Sequence, residues 1–226
     1  MSKIKYILVD VDDTLLDFYK CCHTALENLF AERGYPFSEE LVKDYTEWGN
    51  ELWKIHERGE ATWREVCEKR WVRLSEKYSF FIPNILELDD RFRFYLGEAH
   101  HKIEGADEVL SYLHQKGYKL YVASNSTEIY QKKRLKDSNL ISYFDGFFLS
   151  QTIGASKPKK EFFDYCFSAL GNPEKKAVMM LGDRITSDMV GGKEYGIITC
   201  WFDRRREEDF PSDYKIHSLK ELQEIL

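Results

Sequence analysis

Nothing in this chain approaches the roughly 18 consecutive apolar residues of a membrane-spanning helix, so a helical membrane protein is not expected. No charged start, apolar stretch and small-residue cleavage site precede the first strand-like segment, and a cytoplasmic enzyme is the expectation. The five cysteines (Cys21, Cys22, Cys67, Cys166, Cys200) are odd in number, scattered and without a CxxC pair. That excludes a disulfide framework or a zinc cluster as the organising feature and predicts buried free thiols. Proline is scarce, with 5 in 226 residues, and no repeat or low-complexity tract interrupts the chain. A basic excess is missing too. The formal net charge is −6 and the pI is about 5.6, which argues against a nucleic-acid surface. An anionic small molecule is not excluded, because a phosphate site needs only local positive charge and oriented N–H groups.

What the chain does have is a series of short apolar runs ending in polar residues. Ile4–Asp10, Tyr118–Ser124, Phe144–Ser150, Ala177–Asp183 and Ile197–Asp203 read as strands buried on both faces. Helical stretches lie between them at Ala106–Lys116, Glu128–Ser138, Lys160–Leu170 and Asp188–Tyr195, and several end at Gly117, Gly171 or Gly196. The alternation predicts an α/β fold with a doubly wound parallel sheet. Residues 17–103 break it. They carry aromatic and aliphatic residues at helical spacing, a helix start at Ser38-Glu-Glu and a turn at Glu57-Arg-Gly-Glu. The expected organisation is a core of residues 1–16 and 104–226 with an inserted helical domain between them.

In an open parallel sheet, ligands bind beyond the carboxyl ends of the strands. Those ends supply Asp10-Val-Asp12-Asp13-Thr14, then Ser124-Asn125, then Lys157-Pro158, then Gly182-Asp183 with Asp188 beyond. Gathering several carboxylates at one edge is costly without a compensating cation, and Mg²⁺ with oxygen ligands meets that need. The set fits phosphoryl transfer. Asp10 is the candidate nucleophile and Asp12 the general acid, then the general base. Lys157 and the metal would hold the developing charge, Ser124 and Asn125 would bind phosphate, and Asp183 would complete the metal shell with Asp188 orienting it.

DVDDTL, SN, the lysine of GASKPKKEFF and GDRITSD, in that order, resemble the four motifs of the haloacid dehalogenase (HAD) superfamily. The resemblance covers the whole chain and implies a HAD-like core, a helical cap over residues 17–103, and Mg²⁺ held by Asp10, the Asp12 carbonyl and Asp183. Thr14 belongs to the first of these motifs and is expected to support the site from behind, as Asp188 is. LGNPEKKAVMMLGDRITSDMVGGKEYGIITCWF and ELWKIHERGEATW are similar to the bacterial YjjG-like branch, whose members are pyrimidine 5′-nucleotidases. This implies a nucleoside monophosphate as substrate; a cap that opens and closes to exclude water and a monomer or homodimer are expected. The chain departs from the family pattern at Ser126, often Gly, and at Arg184, usually Ser or Thr.

Competing readings start from the same residues. A 2-haloacid dehalogenase has little use for an acid at Asp12. A phosphomutase or a phosphatase of sugar phosphates keeps the whole set. A phosphoaspartyl switch of the receiver type is compact and lacks the helical insertion. Asp188 alone would also suit a helix N-terminus, Ser124-Asn125 a helix cap, and Asp13 the turn. The histidines lack metal-ligand spacing, and Arg204–Arg206, balanced by Glu207, Glu208 and Asp209, reads as a solvated loop. Trp48, Trp53, Trp63 and Trp71 are expected mostly in the core of the insertion, one or two of them free to stack on a base.

Overall fold

The computed structural model describes residues 4–204, 206 and 210–226. The chain divides into two compact units, one reaching to Asp17 and resuming at Lys102–Leu226, the other Phe18–His101. The first unit holds β1 (Tyr6–Val9) and, after the insertion, elements that strictly alternate at first. The second unit is all-helical: α1 (Phe18–Arg33), α2 (Glu39–Glu57), α3 (Trp63–Tyr78) and α4 (Ile85–Glu98). The first unit then continues with α5 (Ala106–Gln115), β2 (Lys119–Ser124), α6 (Glu128–Asp137), β3 (Gly146–Leu149), α7 (Ser150–Ile153) and α8 (Lys160–Ala169). It ends with β4 (Val178–Gly182), α9 (Val190–Tyr195), β5 (Ile198–Phe202), β6 (Tyr214–Ile216) and α10 (Leu222–Ile225).

The six strands form one parallel sheet in the order β3-β2-β1-β4-β5-β6. The strand period of two sorts β1 between two cores. Ile7 and Val9 join Val109, Leu110 and Leu113 of α5 and Leu135 of α6 on one face. Leu8 joins Phe162, Phe163 and Cys166 of α8 on the other. Helices therefore cover both faces, and the continuous apolar runs follow from burial on both. Each fully buried Leu, Ile or Phe contributes on the order of 1.5–3 kcal/mol. Five strands fall where the sequence places them. The sixth, β6, is three residues long with a half-exposed lysine in its middle, too short to show a period.

Register fixes the functional edge. Val9 is level with Val122 on one side and Leu181 on the other. Asp10, Ser124 and Asp183 therefore leave the sheet at the same edge, and the Asp10 N–H continues the ladder to the Leu181 carbonyl at 2.9 Å.

Local signals account for the helical unit. Ser38 accepts from the Leu41 N–H, Thr62 forms a capping box with Glu65, and Asn84 accepts from the N–H groups of Leu86 and Glu87. Its core gathers Leu26, Leu29, Phe30, Tyr45, Trp71, Leu74 and Phe92. Trp71 is core: it is fully buried and its Nε1 donates to Asp89 Oδ1 at 3.0 Å. Arg73 lies over the Trp48 ring at 4.0 Å. Trp53 and Trp63 pack against each other, ring centroids 4.7 Å apart, and stay half-buried. All five cysteines are free and buried. Among the described residues, no helix is long and apolar enough to cross a membrane.

Candidate active site

Asp10, Asp12, Ser124, Asn125, Lys157, Asp183 and Asp188 all belong to the sheet-bearing unit. After Val9 the chain turns sharply: the N–H groups of Leu15 and Leu16 both donate to the Val11 carbonyl, and Asp13 sits at φ 58. Aspartate tolerates that left-handed conformation better than most residues. The turn leaves Asp10 at the strand end, 8% exposed.

Lys157 organises the carboxylates. Its ammonium is almost completely buried, donates to Asp10 Oδ1 at 2.7 Å and to the Ala123 carbonyl at 2.5 Å, and forms an ion pair with Asp188 Oδ1 at 2.7 Å. Burial works against its charge, but the two aspartates outweigh it and hold the lysine protonated well above its ordinary range. The Asn125 carboxamide clamps the Lys157 backbone, accepting from its N–H and donating to its carbonyl, both at 2.9 Å. The Asn125 side chain is thus engaged in holding the lysine segment. Gly182 makes room for Asp188, because a Cβ there would run into the Asp188 carboxylate. The Arg184 N–H donates to Asp188 Oδ2 at 3.1 Å.

Asp10, Asp183 and Asp188 each offer an oxygen within 4.8 Å of the others. The lysine pairs with two of these three carboxylates, and three carboxylates against one ammonium carry two surplus negative charges within the group. Burial raises Asp10 to about 7, with Lys157 opposing and Asp188 and Asp12 adding to the rise. Burial, then Asp13, Asp10 and Asp188, lift Asp183 well above the ordinary carboxylate range. An all-oxygen donor set with two surplus negative charges fits a hard divalent cation. Thr14, fully buried, places Oγ1 3.5 Å from Asp183 Oδ1, and Trp201 Nε1 donates to the Asp183 carbonyl at 2.9 Å.

The Asp12 side chain is held apart from this cluster. Its Oδ1 accepts from Arg134 Nη1 at 2.7 Å and its Oδ2 from Gln131 Nε2 at 3.3 Å. Gln131 also donates to Ser124 Oγ at 3.2 Å, and Ser124 is 2% exposed. Gln131, Arg134 and Trp201 are absent from the sequence expectations. So is the role of Arg204, which reaches Asp17 Oδ2 at 3.0 Å and Asp13 Oδ1 at 3.3 Å and is therefore not merely part of a solvated loop. Arg205, Glu207, Glu208 and Asp209 lie outside the described residues.

Residues 4–196 match the haloacid dehalogenase-like hydrolase family. The chain belongs to that family. It is a hydrolase, as the four motifs imply. HAD-hydrolase YfnB of Bacillus subtilis is 34% identical over 100% of this chain and 97% of its own length. The crystal structure of YfnB, bound to magnesium, superposes with a TM-score of 0.93 at 33% identity, covering 99% of each chain. Pyrimidine 5′-nucleotidase PynA of Streptococcus pneumoniae is 30% identical over 98% of this chain and 94% of its own. Pyrimidine 5′-nucleotidase YjjG of Escherichia coli is 29% identical over 99% and 98%. The resemblance to the YjjG-like branch thus extends over the full chain.

Proposed function

We propose that the protein is a Mg²⁺-dependent phosphomonoesterase that works through an aspartyl-phosphate on Asp10 and acts on nucleoside 5′-monophosphates, pyrimidine ones foremost. The observation that carries this is the Lys157 ammonium lying between Asp10 and Asp188, with Asp183 adjoining and Asp12 held separately. A nucleophile, a charge-neutralising group and a distinct proton carrier are the parts that phosphoryl transfer needs.

In the first step an Asp10 carboxylate oxygen attacks phosphorus, the ester P–O bond breaks, and Asp12 gives its proton to the departing alkoxide. In the second, water attacks the same phosphorus as Asp12 takes its proton, and the P–O bond to Asp10 breaks to release phosphate. Lys157 fixes the rotation of the Asp10 carboxylate and adds positive charge beside the phosphoryl oxygens. Ser124 donates its hydroxyl hydrogen to phosphate. Asp10, Asp183 and the Asp12 carbonyl would hold Mg²⁺, with Asp188 and Thr14 behind them, and the ion supplies further neutralisation of the phosphoryl charge when bound. Residues 18–101 serve as the cap.

Support for a nucleotide comes from the relatives named as pyrimidine 5′-nucleotidases and from the half-buried Trp53, an aromatic ring of the kind on which bases stack. The test is phosphate release from nucleoside monophosphates and sugar phosphates, with and without Mg²⁺, by wild type and Asp10→Asn. Metal-dependent release that vanishes in the variant is expected, with pyrimidine nucleotides ranked first. Release surviving in Asp10→Asn rejects the nucleophile. A sugar phosphate ranked first rejects the substrate. Conversion between phosphate isomers without free phosphate indicates a mutase.

A further inference from the structure

The buried face of α6 carries two polar side chains that neither chemical step uses. Gln131 is fully buried and Arg134 is 2% exposed, three residues apart on a helix that is otherwise rich in lysine and acid. Arg134 Nη1 donates both to Asp12 Oδ1 at 2.7 Å and to Gln131 Oε1 at 3.0 Å. Gln131 Nε2 donates to Asp12 Oδ2 at 3.3 Å and to Ser124 Oγ at 3.2 Å.

Donor chemistry leaves this network one arrangement. A guanidinium has only donors, so Gln131 must turn its Oε1 to Arg134, and its NH₂ then faces Asp12 and Ser124. Ser124 Oγ accepts from that NH₂, which frees the single hydroxyl hydrogen to point elsewhere. The Asp12 carboxylate is gripped at both oxygens from one helix. We infer that Gln131 and Arg134 are positioning residues that set the Asp12 carboxylate and the Ser124 hydroxyl together. Through them α6 holds the group that protonates the leaving oxygen and the group that donates to the phosphate in fixed relation. This rests on the reading of Asp12 as proton donor.

The test uses the full chain with Mg²⁺ and compares kcat/KM for two kinds of ester. One is the alkyl phosphate turned over best in the panel above, whose alkoxide must be protonated as it leaves. The other is p-nitrophenyl phosphate, whose leaving group needs no proton. For both, kcat/KM reports the phosphorylation of Asp10 and not the later hydrolysis. Arg134→Met and Gln131→Met should lower kcat/KM for the alkyl ester on the order of 10- to 100-fold more than for p-nitrophenyl phosphate. Arg134→Lys should recover part of that difference. Asp12→Asn sets the scale, with a selective loss of about 100-fold or more.

Asp12 is partly exposed, its side chain at 29%, so losing Arg134 does not strand a fully buried charge. If Arg134→Met still fails to fold, as read by thermal melting, Gln131→Met and Arg134→Lys decide the matter. Equal losses for both esters, no loss, or a gain for the alkyl ester in the α6 variants overturns the inference while a selective Asp12→Asn leaves the mechanism standing. An unselective Asp12→Asn rejects the proton-donor assignment and the inference with it.

Discussion

Lys157 Nζ and Asp10 Oδ1 lie 2.7 Å apart across 147 positions of sequence. The lysine has no exposed route to solvent and serves a second aspartate, Asp188, at the same distance. Lys157→Met should therefore do two things at once. Phosphate release should fall about 10³-fold, the scale of losing a charge-stabilising group. Stability at pH 8 should fall by about 3–5 kcal/mol, because two buried carboxylates lose their counter-charge. At pH 5 the destabilisation should shrink as Asp10 takes up a proton. Urea unfolding at both pH values reads this directly, and an equal loss at each would contradict it.

The acidic cluster gives the metal-free protein a pH dependence of definite sign. Asp10 is raised from 3.8 to about 7 in the folded protein, and Asp183 is raised as well. Between those values the folded state holds protons that the unfolded state has released, so stability falls as pH rises. The contribution is complete below about pH 4 and is lost as pH passes through about 7. A divalent cation held by the proposed site would replace those protons. Melting temperature of the metal-free protein should thus decline from pH 5 to pH 8, and millimolar Mg²⁺ should raise it more at pH 8 than at pH 5. An equal Mg²⁺ effect at the two pH values would place the ion elsewhere.

Gly182, the last residue of β4, has no room for a side chain. A Cβ on it meets the Asp188 carboxylate, and Asp188 is fully buried with nowhere to retreat. Gly182→Ala should cost about 1–3 kcal/mol as an overpacked core position. It should also reduce phosphate release at least 10-fold, since Asp188 is driven off Lys157. A variant that keeps wild-type activity would show that Asp188 is dispensable to the site.

How much of this was legible in the sequence depends on what each residue packs against. Asp10, Ser124, Lys157, Asp183 and Asp188 announce themselves because apolar strand-like runs end beside most of them, and a parallel sheet brings such ends to one edge. The helix α6 hides its contribution. Its sequence EIYQKKRLKD has few apolar residues to mark a buried face, so Gln131 and Arg134 look like neighbours of Lys132 and Lys133 on a solvated surface. Only the tertiary partner Asp12, more than a hundred residues earlier, explains their burial. Trp201 is hidden for the opposite reason: in an apolar strand it reads as core, and its indole N–H bond to the Asp183 carbonyl leaves no trace in composition. Arg204 is masked by its charged neighbours.

That indole bond carries the last prediction. Trp201 is 1% exposed and donates to the backbone carbonyl of Asp183 at 2.9 Å, while Thr14 Oγ1 lies 3.5 Å from the Asp183 carboxylate. Asp183 is thus braced at its main chain and approached at its side chain. Trp201→Phe keeps most of the ring packing and removes the donor, at about 1 kcal/mol of net hydrogen-bond energy. Groups behind metal ligands typically change metal affinity about 10- to 100-fold when removed. The Mg²⁺ concentration for half-maximal phosphate release should rise about 10-fold in Trp201→Phe, with kcat at saturating Mg²⁺ within about 2-fold of wild type. Losing kcat without a change in Mg²⁺ requirement would mean that Trp201 acts through packing of the sheet edge. An unchanged requirement and unchanged kcat would mean that Asp183 is oriented by its side-chain surroundings alone.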